Sequence, residues 1–198
     1  MSVITKLKLQ TKNKNRVNVY LDEEYVCALQ LETIMRFQVK EGMQVTKEQL
    51  LTMQLDSEKE QAYLKVLNLI SKSMKTKVQI ERYLKQKGYA QKTVKYVTSK
   101  LEEYNYVNDA LYAKLYIKQE AKKSGVNKIR QQLFLKGVPK EVLEEALLEL
   151  PNQEQEIEHL IEKYMKNKEY TKKEVSKLYA YLLRRGFTYD QIKPFIKG

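Results

Sequence analysis

The chain has 198 residues, 42% hydrophobic and 31% charged, a balance that fits a soluble folded protein of one or two modest domains and requires no disordered tail. No apolar run approaches membrane-spanning length, and the start Met1-Ser2-Val3-Ile4-Thr5-Lys6-Leu7-Lys8 lacks the apolar core of a secretion signal, so a cytoplasmic protein with no membrane partner is expected. A single cysteine, Cys27, excludes an intrachain disulfide or a thiolate metal cluster. The formal charge of +12 lies in blocks: nine Lys or Arg against one acid over 71–100, eight against one over 110–140, ten against three over 163–198. Between the last two, residues 141–162 hold eight glutamates and no Lys or Arg. Such blocks suggest a basic stripe whose natural partner is a polyanion or an acidic protein groove, although any single lysine is more simply solvated surface.

In chain order, residues 3–10 alternate, with Val3, Thr5, Leu7 and Leu9 on one face and Ile4, Lys6 and Lys8 on the other, which predicts a strand. Thr11 to Asn15 is a polar turn, Arg16 to Leu21 a second strand, and Asp22-Glu23-Glu24 leads to a third over Tyr25 to Leu29, giving a short antiparallel meander. From Leu31 the spacing turns helical through Ile34, Met35 and Phe37 until Gly42 interrupts. Thr46-Lys47-Glu48-Gln49 has capping-box form, and Ser57-Glu58-Lys59-Glu60 has it again, ahead of a helix with Tyr63, Leu64, Leu67 and Ile70 on its apolar side. Thr76-Lys77-Val78-Gln79 caps the next helix, which stops at Gly88, and another runs from Gln91 through Val94, Val97 and Leu101.

Asn108 or Asp109 then caps a helix carrying Leu111, Leu115 and Ile117 that stops at Ser124-Gly125. A second middle helix ends at Gly137, and Pro139, tolerated in a first helical turn, precedes Val142, Leu143, Ala146, Leu147 and Leu150. The third set opens with the longest first helix, roughly Gln153 to Lys168, with Ile157, Leu160, Ile161 and Tyr164 inward. Thr171 caps its middle helix, and Thr188 to Gln191 cap a last, shorter helix that ends with the chain.

These three sets are copies. Ile80 to Tyr89, Ile129 to Val138 and Leu178 to Phe187 share one pattern, and Gly88, Gly137 and Gly186 stand 49 residues apart. Apolar residues four apart (Ile80 and Leu84, Ile129 and Leu133, Leu178 and Leu182) mark a buried helical stripe, a basic residue favours the negative helix end, and glycine supplies the left-handed terminator. Six residues past each glycine comes Val94, Leu143 or Ile192, marking a following helix. A lone Lys-Gly would be an ordinary helix stop; three in register make a repeat. The expected fold is mainly α: tandem three-helix repeats at 57–106, 107–151 and 152–198 in an elongated array, after a small N-terminal antiparallel β meander with short helices over 1–56. Units this small gain stability by stacking through shared apolar faces.

No catalytic constellation stands out. His159 is the only histidine, and an exposed helical site among glutamates explains it better than a triad or a metal set. Cys27 sits among apolar neighbours in a predicted strand and reads as a small buried hydrophobe. The six glycines are too far apart for a phosphate-cradling loop. Glu141, Glu144, Glu145 and Glu149 describe the wet face of an amphipathic helix. Of the 15 tyrosines, Tyr63, Tyr83, Tyr112, Tyr116, Tyr164 and Tyr179 fall at core spacing, while Tyr89 and Phe187 anchor the turns after the glycines. The chain is therefore read as a non-enzyme with no catalytic residue, metal or cofactor.

Over most of its length the chain resembles the RecX family of bacterial recombination regulators. The likeness is carried by Ile80 to Gly88, by Tyr106-Val107-Asn108-Asp109 with Ala113, by Gly125 with Ile129, Leu133 and Lys136-Gly137-Val138, and above all by Tyr181-Leu182-Leu183-Arg184-Arg185-Gly186-Phe187-Thr188-Tyr189-Asp190. Val17 to Asp22 looks like the N-terminal extension of longer members. Asn108 stands where an acid is common, and the chain ends sooner than many extended members. The resemblance implies a monomeric regulator that binds the RecA recombinase, mainly as the filament on single-stranded DNA, lies in its groove and suppresses ATP turnover and strand exchange. Candidate contacts are the basic residues near the ends of the middle helices and in the following turns: Lys85, Lys87, Lys92, Lys95, Lys128, Arg130, Lys136, Arg184 and Arg185. Direct binding of single-stranded DNA in competition with the recombinase is the alternative.

Overall fold

The computed structural model describes residues 1–196, and they form two compact units: Met1–Ser73 with Glu81–Tyr104, and Met74–Ile80 with the chain from Asn105 onward. The expected class holds, a mainly helical chain of three-helix repeats behind a small antiparallel sheet.

In the first unit, β1 (Ser2–Leu9), β2 (Arg16–Leu21), β3 (Glu24–Gln30) and β4 (Gln44–Val45) form one antiparallel sheet in the order β3-β2-β1-β4. The meander is legible in the alternation, but β4 is not, because two residues paired to Val3 and Ser2 carry no periodic signal. The faces of β1 also differ from strict alternation. Pairing steps from Ile4 opposite Leu21 to Lys6 opposite Tyr20, leaving Thr5 as an extra residue. This bulge brings Ile4 and Leu7, three apart, onto the core and leaves Leu9 outside. Asp22 and Glu23 both take left-handed φ (48° and 69°), the geometry of a two-residue hairpin turn, without glycine or asparagine.

After α1 (Leu31–Arg36), α2 (Lys47–Ile70) is one helix of 24 residues. Its start is the predicted box: the Gln49 amide donates to Thr46 Oγ1 at 3.2 Å and the Thr46 amide to Gln49 Oε1 at 2.8 Å. The second box, at Ser57, does not open a helix. Ser57 is buried in mid-helix, and its hydroxyl accepts from the Gln30 amide at 2.7 Å where β3 ends. Hence α2, not the first helix of the third repeat, is the longest first helix. Its inward residues include Met53, Ala62 and Val66, while Leu64 faces solvent.

Two helices follow: α3 (Lys77–Gln86), within which the boundary between the units falls, and α4 (Gln91–Glu103). The second repeat contains α5 (Asp109–Glu120), α6 (Val126–Leu135) and α7 (Lys140–Leu147). The third contains α8 (Glu154–Met165), α9 (Lys172–Arg184) and α10 (Tyr189–Ile192), with a 3-10 turn over Lys193–Phe195. The last helix, expected to end with the chain, stops at Ile192, and Ile196 is already extended; the final two positions lie outside the described residues. All six stripe residues, Ile80, Leu84, Ile129, Leu133, Leu178 and Leu182, are 0% exposed, so the repeated pattern marks the core in phase. Val94, Leu143 and Ile192 are buried as well.

On α5, Asn108 is the cap, accepting from the Leu111 amide at 2.9 Å, while Asp109 Oδ1 accepts from the Lys77 amide at 2.9 Å. The buried stripe includes Ala113 and Ile117, flanked by half-buried Tyr112 and Tyr116. Of the three apolar residues that mark this helix in the sequence, Leu111, Leu115 and Ile117, only Ile117 is buried, and the two leucines are exposed. Pro139 takes the cap position of α7 itself. α8 stops at Met165, short of Lys168, because Lys166 turns extended and Asn167 left-handed (φ 65°).

Gln153 is buried against the end of α5 and donates through Nε2 to Ala121 O (2.6 Å) and Ser124 O (2.9 Å). Gln153→Ala is expected to lose about 1.5 kcal/mol, since both carbonyls would lose their buried donor. Urea melts measure this, and a loss below about 0.5 kcal/mol would show that water replaces the amide.

Candidate partner-contact site

The nine basic candidates divide by what their charged ends touch. Those of Lys85 on α3, Lys92 and Lys95 on α4, and Arg184 on α9 are exposed and have no partner among the described residues. Arg130 is engaged: its fork grips Glu144 with Nε to Oε1 at 3.0 Å and Nη2 to Oε2 at 3.2 Å, tying α6 to α7. Lys128 lends its backbone and Cβ to packing, since a Cβ placed on Gly186 would lie 2.4 Å from both Lys128 N and Lys128 Cβ.

Lys87, Lys136 and Arg185 occupy the same repeat position before glycine, and each stands over a tyrosine ring. Lys87 Nζ is 5.7 Å from the Tyr83 centroid, Lys136 Nζ 5.1 Å from Tyr116, and Arg185 Cζ 4.8 Å from Tyr181. Arg185 also donates to Lys123 O at 3.0 Å. A cation over a ring is stabilising without any ligand, so this position has an internal function in all three copies. The tyrosines at core spacing are half-buried, and Tyr63, Tyr83, Tyr116 and Tyr164 each carry a lysine over the ring.

Neighbouring repeats in the second unit meet by one rule. The turn that closes α6 rests on the start of α3: Thr76 Oγ1 donates to Lys136 O at 2.6 Å, and a Cβ on Gly137 would meet Val78 Cβ at 2.5 Å. The turn that closes α9 rests likewise on the start of α6. There the Gly125 amide donates to Arg185 O at 2.9 Å and the Asn127 amide to Gly186 O at 3.1 Å. Carbonyls orphaned at one helix end thus meet donors at the start of another. Stacking through apolar faces is the expectation for such repeats; these seams use backbone and glycine, which allow the closest approach.

The first unit carries a basic and aromatic ladder outside the nine candidates. Lys59 Nζ lies 4.8 Å from the Tyr96 centroid, and Lys100 Nζ lies 4.3 Å from Tyr63 and 5.8 Å from Tyr96, so α2 and α4 interleave cations and rings. Its sequence signal is a pair of Lys/Tyr spacings of four, Lys59 with Tyr63 and Tyr96 with Lys100. Beside it, Lys95, Tyr96, Ser99, Lys100, Glu103 and Tyr104 line a shallow depression of about 460 Å³. Burial alone would lower the Lys100 pKa, but Glu60, with Tyr96 and Tyr63, outweighs it and the net shift is upward.

Elsewhere, Cys27 is buried, and desolvation pushes its thiol pKa up, away from a nucleophile's range. His159 is exposed. No group of three or more His, Cys, Asp or Glu able to hold a metal occurs among the described residues, and no helix there is long and apolar enough to cross a membrane.

Four family models match the chain. They are the regulatory protein RecX N-terminal domain over residues 2–46 and the first, second and third RecX three-helix domains over 62–101, 108–147 and 152–196. Among curated relatives, the regulatory protein RecX of Clostridium botulinum (strain Eklund 17B / Type B) is 34% identical, covering 100% of this chain and 96% of its own. That of Bacillus cytotoxicus is 32% identical over 98% of this chain and 75% of its own. A crystal structure of regulatory protein RecX superposes with a TM-score of 0.79 at 22% identity, covering 98% of both chains. The crystal structure of RecX from Lactobacillus salivarius gives 0.64 at 24% identity, over 70% of this chain and 94% of that one.

Proposed function

The chain belongs to the RecX family of regulatory proteins, and we propose that it regulates recombination and repair of DNA in the cytoplasm by binding the RecA recombinase filament and suppressing its ATP turnover and strand exchange. The observation that carries this reading is the recurrence of one helix-turn unit every 49 residues, with the free cations Lys85, Lys92, Lys95 and Arg184 near its middle-helix ends and following turns. A ligand that is itself periodic offers the free cations of the first and third repeats separate places to touch, and several weak contacts on one chain raise the effective concentration of the next. The filament is thereby favoured over a free recombinase subunit.

Charge reversal tests this. Lys85→Glu with Lys92→Glu and Arg184→Glu is expected to weaken filament binding about tenfold or more while leaving the thermal midpoint within about 2 °C, since exposed unpaired charges contribute little to stability. Arg130→Glu and Arg185→Glu are expected to lower the midpoint instead, because both side chains are engaged within the fold. Equal affinity for free recombinase and filament, or unchanged filament binding by the triple variant, would refute the proposal.

The ladder of Lys59, Tyr96, Lys100 and Tyr63, with Lys95 beside it, favours a second reading, in which the protein binds single-stranded DNA directly by pairing phosphates with lysines and stacking bases on rings. Three phosphate contacts would cost about 20-fold in affinity between roughly 0.05 and 0.2 M salt. Binding measured at those two salts to bare single strands, recombinase alone and assembled filament separates the readings. Tight, salt-steep binding to bare strands would favour the second.

A further inference from the structure

The sheet of the first unit carries two bulges, and both adjoin Tyr20 of β2. In β1 the pairing steps from Ile4 opposite Leu21 to Lys6 opposite Tyr20, and in β3 from Cys27 opposite Val19 to Tyr25 opposite Tyr20, so Thr5 and Val26 are the extra residues. Uninterrupted alternation would set Thr5 opposite Tyr20 and turn Tyr25 to the core side with Cys27 and Leu29. The bulges instead place Lys6 and Tyr25 on either side of Tyr20, on the face opposite the core. Lys6 Nζ lies 6.0 Å from the Tyr20 centroid, and the Tyr20 and Tyr25 rings meet edge to face at 5.9 Å. Lys6 and Tyr25 are exposed, and so is Lys8, which pairs with Asn18 one step along the same face.

Tyr25 also lines a cavity of about 360 Å³ where β3 meets α2, together with Arg16, Gln54, Ser57, Glu58 and Gln61. Arg16 makes one bond there, from Nη2 to Ala28 O at 3.1 Å, and its buried Nε meets no acceptor among the described residues. A buried donor without an acceptor is unfavourable, and a ligand acceptor entering the cavity relieves it. Glu58 Oε1 accepts from the Thr93 hydroxyl at 2.8 Å and Gln61 Oε1 from the Tyr89 hydroxyl at 3.1 Å, leaving Glu58 Oε2 and Gln61 Nε2 unpartnered among the described residues. Donors and an anionic acceptor gathered beside an aromatic ring suit the edge of a nucleobase, which offers both kinds of group, whereas a bare phosphate would be repelled by Glu58.

We propose that this face and cavity bind single-stranded DNA: one base enters the cavity and stacks on Tyr25, its edge bonded by Arg16, Glu58 and Gln61, while adjoining phosphates lie on Lys6 and Lys8. Charge supports that occupant, since residues 1–21 hold Lys6, Lys8, Lys12, Lys14 and Arg16 and no acid. Asp22, Glu23 and Glu24 lie past Tyr20, so the strand leaves the cavity toward Lys8 and the β1–β2 turn, which carries Lys12 and Lys14. The proposal rests on the second reading above, direct binding of single strands, and adds to it a place that holds a base, apart from the ladder on α2 and α4.

Fluorescence anisotropy of an oligothymidine strand and of its abasic counterpart, with the full chain at about 0.05 and 0.2 M salt, tests the proposal. The wild type is expected to hold the thymidine strand about tenfold more tightly than the abasic one, and Tyr25→Ala to lose that preference with its circular dichroism unchanged. Lys6→Gln with Lys8→Gln should lower the slope of log affinity against log salt by about 2. A Tyr25→Ala variant that keeps the full preference, or a double glutamine variant with the wild-type slope, would overturn the proposal. If Tyr96→Ala removes the preference while Tyr25→Ala keeps it, the base is held by the ladder, and the second reading stands without this site. A wild type that binds neither strand at either salt would overturn both.

Discussion

Gly186→Ala is expected to destabilise the protein by about 3–5 kcal/mol, whereas Gly88→Ala, the same change at the same repeat position, should cost only about 1 kcal/mol. Both residues have left-handed φ, 89° and 83°, so both variants force an L side chain into a region it rarely adopts. They differ in what the new methyl meets. At Gly88 there is open space, while at Gly186 the methyl would stand 2.4 Å from the Lys128 amide nitrogen, and backbone cannot swing aside as a side-chain tip can. Relief requires parting the seam and stretching the bonds from Gly125 and Asn127 to the Arg185 and Gly186 carbonyls. Gly137→Ala, which meets the Val78 side chain, belongs between the two. Urea midpoints of the three variants give the ranking, and equal losses would show that the seams are not close-packed in solution.

Glu60→Ala is expected to cost about 3 kcal/mol, because it removes the buried anion that serves two cations. Glu60 Oε1 accepts from Arg36 Nη2 at 2.9 Å and lies 3.5 Å from Lys100 Nζ, joining α1, α2 and α4 in the first unit. Arg36 keeps Asp56 in the variant, but Lys100 is left over the Tyr63 ring with no carboxylate. The raised Lys100 pKa fixes the sign of the alkaline behaviour. Its contribution is fully present below the unfolded lysine value of about 10.4 and fades as pH rises through the higher folded value. Stability near neutrality should therefore not depend on this group's titration, and Glu60→Ala should reduce the loss seen in strong alkali. A neutral-pH loss under about 1 kcal/mol would mean that solvent already screens the cluster.

What could be read from sequence was what the chain decides locally. Thr46, Thr76, Thr171 and Thr188 each cap the helix they precede, since the cap and its target amide are only three residues apart. The stripe from Ile80 to Leu182 was legible because one helical period appears three times. Ser57 misleads for the opposite reason: it has the form of a cap, but its hydroxyl answers an amide 27 residues away, and nothing before it breaks the helix. Leu111, Leu115 and Ile117 mark α5 in the sequence by hydrophobicity alone, which does not tell that Ile117 packs inward with Ala113 while both leucines face out. At the contact site, sequence could place Arg130 and Arg185 near helix ends but could not show that Glu144 and the Lys123 carbonyl already hold them.

The second unit is discontinuous: Met74–Ile80 belongs to it, while the next 24 residues belong to the first. A truncation beginning at Asn105 would discard Thr76, Lys77 and Val78, stripping Asp109 and the Lys136 carbonyl of their hydrogen-bond partners and Gly137 of its packing neighbour. An excised piece that keeps this unit whole must therefore begin no later than Met74. During synthesis the same topology imposes an order, since the strip that completes this unit leaves the ribosome well ahead of the helices that will cover it.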